Sequence, residues 1–378
     1  MARTTPCIMT ETESETPKPA FSNPVVVQDP MRFHGGGIQY TLELARTLDC
    51  PLYTYEHTAD IDTDDVDVIE FGDPSTVDRL IEQFPFGSTR LFVAYENLQV
   101  PAEFDAVITS GPVSKSVVHR DHQQRFHALH TPTRWLFDRA PGRYADSPAP
   151  IRWLRNAYQS LMRIYDVSTI SRIDDFIPNS EVIERRLETY YRREASAIVH
   201  PPVDTSSYHH EESEGFLLPL GRLEKLKHVD EVVKAVNETD RHLVVAGTGA
   251  EESRLRQIAG PNVEFRGFVS EDEKRDLLAR CEAVIFAAER EDFGIVPVEA
   301  LAAGKPVVGV NEGFTKFQIE DGETGILFDR GIENLHDAID CAYDTNWDRE
   351  RIQNTSKRFD VDVFRKKWSR IISGSCEE

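Results

Sequence analysis

From Asn23 onward, short apolar runs alternate with longer amphipathic stretches, and the alternation occurs twice along the chain. No single motif constrains the fold as much. Strands are predicted at 24–27, 66–71, 91–95, 106–109, 126–129, 176–179 and 197–199, with helices at 38–48 and 181–193. The second half repeats the style, with strands at 216–220, 243–246, 263–265, 283–287 and 306–310 and helices at 229–237, 251–258, 271–280 and 296–303. Short, fully apolar strands separated by helices suit parallel sheets covered on both faces. The fold class is therefore α/β, as two Rossmann-like, doubly wound units. A cleft between the carboxyl ends of their strands is where ligands of such units bind. The expected division is an acidic disordered tail over 1–22, an amino-terminal unit over 23–203, a carboxyl-terminal unit over 204–355 and a last segment over 356–378. The break is placed at His200-Pro201-Pro202-Val203-Asp204 and the polar stretch 206–215, which interrupt any element and read as a hinge.

Charge narrows the partners. The 378 residues carry 43 Lys and Arg against 65 Asp and Glu, a net charge of −22. Such a body repels nucleic acid and anionic headgroups unless a local basic patch intervenes, and no nucleic acid partner is expected. Only 11 of the 43 basic residues are lysine, which with the excess of acids suggests a protein made for high salt; the alternative is a mesophilic acidic enzyme with a lean toward Arg. The five cysteines (Cys7, Cys50, Cys281, Cys341, Cys376) are scattered without a CxxC pair, so neither a zinc site nor a disulfide framework is read. A reducing cytoplasm fits. No uncharged apolar run approaches the ~18–20 residues of a membrane span, and the start lacks the basic and apolar regions of a secretory signal.

Four stretches can carry chemistry. Arg32-Phe33-His34-Gly35-Gly36-Gly37-Ile38 follows the first strand; its glycines let backbone approach a ligand and lead into a helix start that favours an anion. The alternative is a flexible strand–helix loop. Gly221-Arg222-Leu223 with Lys227 sits between a strand and a helix, where two cations can neutralise a diphosphate or be ordinary surface charges. In Glu291-Asp292-Phe293-Gly294-Ile295 through Glu299, Gly294 permits a bend, and two carboxylates flank a helix start. They are placed to accept hydrogen bonds from sugar and ribose hydroxyls, or they are loop and helix-surface charges. His130, in His130-Thr131-Pro132, ends a strand and is a donor to a sugar hydroxyl or a structural histidine. Gly247-Thr248-Gly249 lacks the third glycine of a dinucleotide fingerprint and reads as a tight turn.

Together these motifs resemble retaining glycosyltransferases of family 4, which have the GT-B fold. Glu291-x-Phe293-Gly294-x4-Glu299 is similar to that family's signature. Gly221-Arg222-Leu223 with Lys227 and Asp230, the 243–249 strand-turn, 300–308 and 322–328 follow in family order. The tract 130–138 is similar to a branch of mannosyltransferases that build surface polysaccharides. The resemblance implies that Arg222 and Lys227 hold the donor diphosphate. Glu291 and the amides of Phe293, Gly294 and Ile295 contact the donor sugar, and Glu299 contacts the ribose. Gly36, Gly37 and His130 face the donor from the opposite unit, to which residues 364–372 return.

The implied reaction moves a hexose, with GDP-mannose the suggested donor substrate, to a glycan or lipid-linked acceptor, with retention and without a metal or cofactor. Three D-x-D matches, at Asp60, Asp65 and Asp360, are read as solvated acids and not as a metal site. The rivals are a nucleotide-independent transferase or phosphorylase on the same fold, and a catalytically silent sugar-nucleotide-binding partner of a glycan-assembly complex. The interval 134–163 holds six arginines against two acids, interleaved with aromatics. It is either a peripheral contact with the cytoplasmic face of a membrane or a helical face whose arginines pair with acids.

Overall fold

The computed structural model describes residues 20–32, 35–58, 61–63, 65–72, 89–139 and 147–374. Two six-stranded sheets form, both wholly parallel. The first contains β1 (Pro24–Gln28), β2 (Leu52–Thr54), β3 (Val68–Glu70), β4 (Ala106–Ser110), β5 (Gln124–Leu129) and β6 (Asp175–Pro178). Its order is β3-β2-β1-β4-β5-β6. The second contains β7 (Phe216–Leu218), β8 (His242–Ala246), β9 (Val263–Gly267), β10 (Ala283–Phe286), β11 (Val307–Val310) and β12 (Gly325–Phe328), ordered β12-β11-β10-β7-β8-β9. Each half thus winds outward from its first strand, returns, and winds the other way. The reversal falls between β1 and β4 and between β7 and β10, which is the doubly wound arrangement predicted.

The apolar runs explain the layering. Every residue of β1, β4, β10 and β11 is buried, because helices cover both faces of these central strands. Register is shared across the switch point: Val26 pairs Leu52 on one side and Ile108 on the other. The chain passes between the sheets twice, and the two crossings are laced together where Val203 and Asp360 form a bridge. The final helix, Val361–Ser373, lays Phe364, Trp368 and Ile372, spaced four apart, into the core of the first sheet. Trp368 Nε1 donates to Tyr40 OH at 3.1 Å.

Several local expectations change. Residues 91–95, read as a strand, belong to the helix Thr89–Glu96, which buries Leu91, Phe92 and Tyr95 on one side and leaves Val93 exposed. A five-residue apolar run does not distinguish the two periods. Residues 197–199 are extended without joining a sheet, although Val199 N donates to Pro178 O at 3.0 Å. The strands β2 and β12 and the helices Ala149–Ile170, Ile332–Asp344 and Arg349–Ser356 were not predicted. Most of the acidic tail lies outside the described residues, but Phe21 N donates to Ile372 O and Ser22 N to Asp105, so the tail's last residues are tied down.

Candidate functional site

The loops at the carboxyl ends of the second sheet pack back to back. Gly221 N donates to Ala246 O at 3.0 Å and Leu223 N to Thr248 O at 2.8 Å. A Cβ on Gly247 would stand 1.8 Å from Gly221 O, and one on Gly249 would stand 2.3 Å from Leu223 O. The two glycines are therefore required by loop-on-loop contact, as the tight-turn reading expects. This scaffold opens a recess lined by Gly221, Arg222, Lys227, Phe286 and Ala288.

Lys227 ends a single helical turn, Lys225–Lys227, and its ammonium reaches Glu291 Oε2 at 2.8 Å and the face of Phe286 at 5.6 Å from the ring centre. These two predicted residues, 64 positions apart, are thus brought together. Arg222 lines the same recess, but its guanidinium pairs with Glu224 at 2.8 Å and its side chain is 76% exposed. Asp230 is taken by Lys234 and Arg254, at 2.9 and 3.2 Å.

The loop carrying Glu291 is fixed from below. Phe314 N donates to Glu291 O at 2.9 Å, and Gln318 Nε2 donates to Gly294 O at 2.8 Å. Gly294 has φ 79°, a conformation that suits glycine, and the helix Ile295–Ala302 begins directly after it. The amides of that first turn have no partner within the helix and face whatever the loop encloses. Phe293 is buried among His200, Phe314 and Phe359. Glu299 is buried in the same helix, and its Oε1 accepts from Tyr208 OH at 2.9 Å and Lys274 Nζ at 2.7 Å. Burial opposes the Lys274 charge, yet Glu299 and Glu271 hold its pKa above the ordinary value.

The first sheet closes the other side. A Cβ on Gly36 would lie 2.6 Å from Ile295 Cδ1, so the glycine loop meets the helix start directly. A Cβ on Gly37 would lie 3.7 Å from the His130 ring. Phe33 and His34 of this loop lie outside the described residues. His130 shares a 2.9 Å hydrogen bond between Nε2 and Ser110 Oγ, and Ser110 in turn meets Thr41 at 2.8 Å. Tyr40 packs edge-on against its ring. Burial depresses the His130 pKa to about 4, so the imidazole is neutral at pH 7.

Sequence reasoning did not single out the residues that join the halves. Asp292 pairs with Arg186 and, at 3.3 Å, with Arg134, while its carbonyl accepts from Ser180 Oγ at 2.6 Å. Its place inside the Glu291–Gly294 motif was the available signal; its partners lie more than a hundred residues away. Tyr208 and Lys274 were likewise unread. Of the D-x-D acids, Asp65 is solvated, with its side chain 63% exposed, although it pairs with Arg46; Asp360 caps the final helix and receives Thr205. Asp60 lies outside the described residues.

Comparison with known proteins agrees with this geometry. Residues 204–359 match the family model of glycosyl transferases group 1. The N-acetyl-alpha-D-glucosaminyl L-malate synthase of Bacillus anthracis is 30% identical over 175 residues, covering 44% of this chain and 45% of that protein. The GDP-mannose-dependent alpha-mannosyltransferase of Mycobacterium tuberculosis is 30% identical over 159 residues, covering 42% and 40%. The chain thus spans less than half the length of these curated relatives. The crystal structure of Anabaena HepE in complex with UDP and glucose superposes over 92% of this chain and 99% of that one, with a TM-score of 0.69 and 16% identity. At that identity the likeness speaks to the fold, which is GT-B.

Proposed function

We propose that the chain is a retaining hexosyltransferase working without a metal or cofactor. It takes a sugar from a nucleotide diphosphate donor, with GDP-mannose the expected substrate, and passes it to a glycan or lipid-linked acceptor. Protein glycosylation or surface polysaccharide assembly at the cytoplasmic face is the setting. The observation that carries this reading is the Lys227–Glu291 pair in the recess, inside the segment that matches the group 1 family. The mannosyl relative and the UDP-bound structural neighbour support a nucleotide sugar as donor.

The pair is built to be exchanged. Each side chain is about a quarter exposed, at 26% and 27%. Such a pair contributes roughly 0.2–1 kcal/mol, so a pyrophosphate readily displaces the carboxylate. Lys227 then sits on the leaving phosphate, and Glu291 is released to accept hydrogen bonds from sugar hydroxyls. Arg222, exposed at the rim, swings from Glu224 to the same phosphates. With the amides of Phe293–Ile295 these groups stabilise the charge that develops on the departing nucleotide. Glu299 serves the ribose through the oxygen not taken by Tyr208 and Lys274. Gly36 and Gly37 admit the sugar against the opposite backbone, and neutral His130 hydrogen-bonds it without adding charge. No side chain is assigned as a covalent nucleophile, so departure and attack occur on the same face of an oxocarbenium-like sugar.

The test is nucleoside diphosphate release at high salt with GDP-mannose, UDP-glucose and UDP-N-acetylglucosamine. Turnover with one donor sustains the proposal. Tight donor binding without turnover identifies a silent binding partner instead.

A further inference from the structure

We infer that the hydroxyls of Thr41 and Ser110 fix His130 in the tautomer protonated on Nε2, which leaves Nδ1 to accept a hydrogen bond from a hydroxyl of the bound sugar. The tautomer follows from a shortage of protons. Thr41 Oγ1 stands 2.9 Å from Gly37 O and 2.8 Å from Ser110 Oγ. Ser110 Oγ stands 2.9 Å from His130 Nε2. Each of these three contacts needs one proton, and the two hydroxyls supply two. A carbonyl oxygen only accepts, so the Thr41 proton goes to Gly37 O, the bond back along the helix that is open to a threonine. Ser110 then donates to Thr41, and the third proton is the one on His130 Nε2. Gln28 Oε1, 2.8 Å from Thr41 Oγ1, is a further acceptor and deepens the shortage. With its amide turned the other way, Gln28 would bring its own proton and leave the count unchanged. If Ser110 donated to Nε2 instead, Thr41 would face either Ser110 or Gly37 as oxygen against oxygen with no proton between them. Thr41 and Ser110 are fully buried, where that repulsion is poorly screened.

The surroundings hold the ring to this arrangement. Gly37, Tyr40 and Thr41 lie on one face of the helix Gly36–Leu48, and all three bear on His130. Gly37 leaves room for the ring, Tyr40 packs edge-on with ring centres 4.7 Å apart, and Trp368 pins Tyr40 in turn. Burial keeps the imidazole neutral at pH 7, so it has one proton to place. With that proton on Nε2, the Nδ1 lone pair is bare, and Nδ1 has no partner among the described residues. His130 is half-buried just past β5, beside the glycine loop that meets Ile295 of the other unit. The sense is the reverse of the sequence expectation, in which His130 donates. An accepting nitrogen selects a group that brings a proton, so a hydroxyl suits it and an ether oxygen or a fluorine does not. Thr41 and Ser110 touch no substrate and act through His130. This step rests on the proposed reaction for the identity of the ligand, and not for the tautomer.

The test uses the full chain carrying histidine labelled with nitrogen-15, read by long-range proton–nitrogen correlation at pH 7. The His130 signals are those lost in His130→Gln. Wild type is expected to show a protonated Nε2 and a bare Nδ1. Thr41→Val removes the acceptor of the Ser110 proton, which then turns to Nε2, and the ring proton should move to Nδ1. Thr41→Ser keeps the hydroxyl and should restore the wild-type pattern. Ser110→Ala takes away the partner of Nε2 by a second route and should leave the two tautomers mixed. A wild-type ring protonated on Nδ1 overturns the inference, as do variants whose His130 signals match wild type. GDP-mannose, UDP-glucose and UDP-N-acetylglucosamine are then added in turn. The donor that binds should shift the wild-type Nδ1 signal upfield, as a hydrogen bond to a bare imidazole nitrogen does. With that donor Thr41→Val should lower kcat/KM about tenfold, and Thr41→Ser should recover it. A bound donor that leaves Nδ1 unmoved overturns the role of His130 toward the sugar. A shifted Nδ1 in a wild type that turns over no donor supports the inference and counts against the enzymatic reading alone.

Discussion

The polar groups of the two halves are kept in different states. In the second half, Arg222, Lys227 and Glu291 stand partly in water and are paired with neighbours they can release. In the first half, Lys115, His127 and Asp166 are buried and Asp29 is half-buried, and each is locked to backbone or to a neighbouring side chain. The contrast divides the labour of the cleft. Under the proposed function, one wall offers exchangeable charge to a donor, and the other offers a rigid, neutral surface. The contrast also implies that substitutions of the locked groups in the first half act on stability while those of the exchangeable groups in the second act on turnover.

The largest effect expected is acid lability carried by the first half. Burial pushes His119 and His130 to about 4 and His127 to about 3. The unfolded chain takes up these protons near pH 6.5, so each histidine removes stability as pH falls from there toward 4. Asp29 opposes them, because burial raises its pKa to about 6 while its unfolded value is 3.8. The folded state therefore binds that proton first, and stability gains between pH 6 and 4. Each group changes stability by about 1.4 kcal/mol per pH unit. Three losses against one gain, discounted for the partial exposure of His119 and His130, leave a fall of about 2 kcal/mol per unit from these four groups, and His200 and His210, whose pKa values burial also lowers, act in the same direction. Urea denaturation from pH 7 to 5 measures it, and His127→Gln should flatten the slope. A level profile would dissolve the contrast between the halves.

Two lysines sharpen the contrast at closer range. Lys115→Met leaves Asp166 buried and without its cation, and should cost about 3–5 kcal/mol of stability. Lys227→Met breaks a pair that stands about a quarter exposed and should cost less than about 1 kcal/mol. Its effect falls on chemistry instead, with kcat/KM for donor turnover lowered about 100- to 1000-fold. Thermal melts and turnover of both variants give the comparison directly. Equal stability losses would show that exposure does not separate the two pairs.

The same difference decided what could be read from sequence. The site in the second half rests on short local motifs, in which Gly247 and Gly249 are forced by backbone contact and Lys227 and Glu291 lie in their own loops. The helices Val229–Asn237 and Glu271–Arg280 were predicted to the residue because strong amphipathic patterning marks the first and the Ser270 cap with its acidic first turn marks the second. In the first half, Ala149–Ile170 hid from the same reasoning because its apolar residues face outward and its polar ones inward. Thr89–Glu96 hid because five apolar residues carry no period. Asp292 was in view, but its partners Arg134, Arg186 and Ser180 are joined to it only by the fold.

That junction supplies the smallest effect and the finest test. Asp292 draws Arg134 and Arg186 of the first half onto the loop that holds Glu291, and Ser180, the cap of the helix Glu181–Tyr191, grips the same residue through its carbonyl. Asn at position 292 keeps the carbonyl contact and the side-chain shape but removes the charge. Phe293 remains packed against His200, so the halves should stay together with little change in melting temperature. The loop is then held less firmly across the cleft. Turnover is expected to fall about tenfold, equivalent to about 1.4 kcal/mol, mainly in kcat, since the phosphate contacts proposed for the donor lie on the second half alone. Salt should matter less to the variant than to wild type, because the interaction that salt screens has gone. If kcat holds within about twofold and salt acts equally on both proteins, aromatic packing at Phe293 positions the loop. The charges of the first half would then have no part in setting out the exchangeable charge of the second.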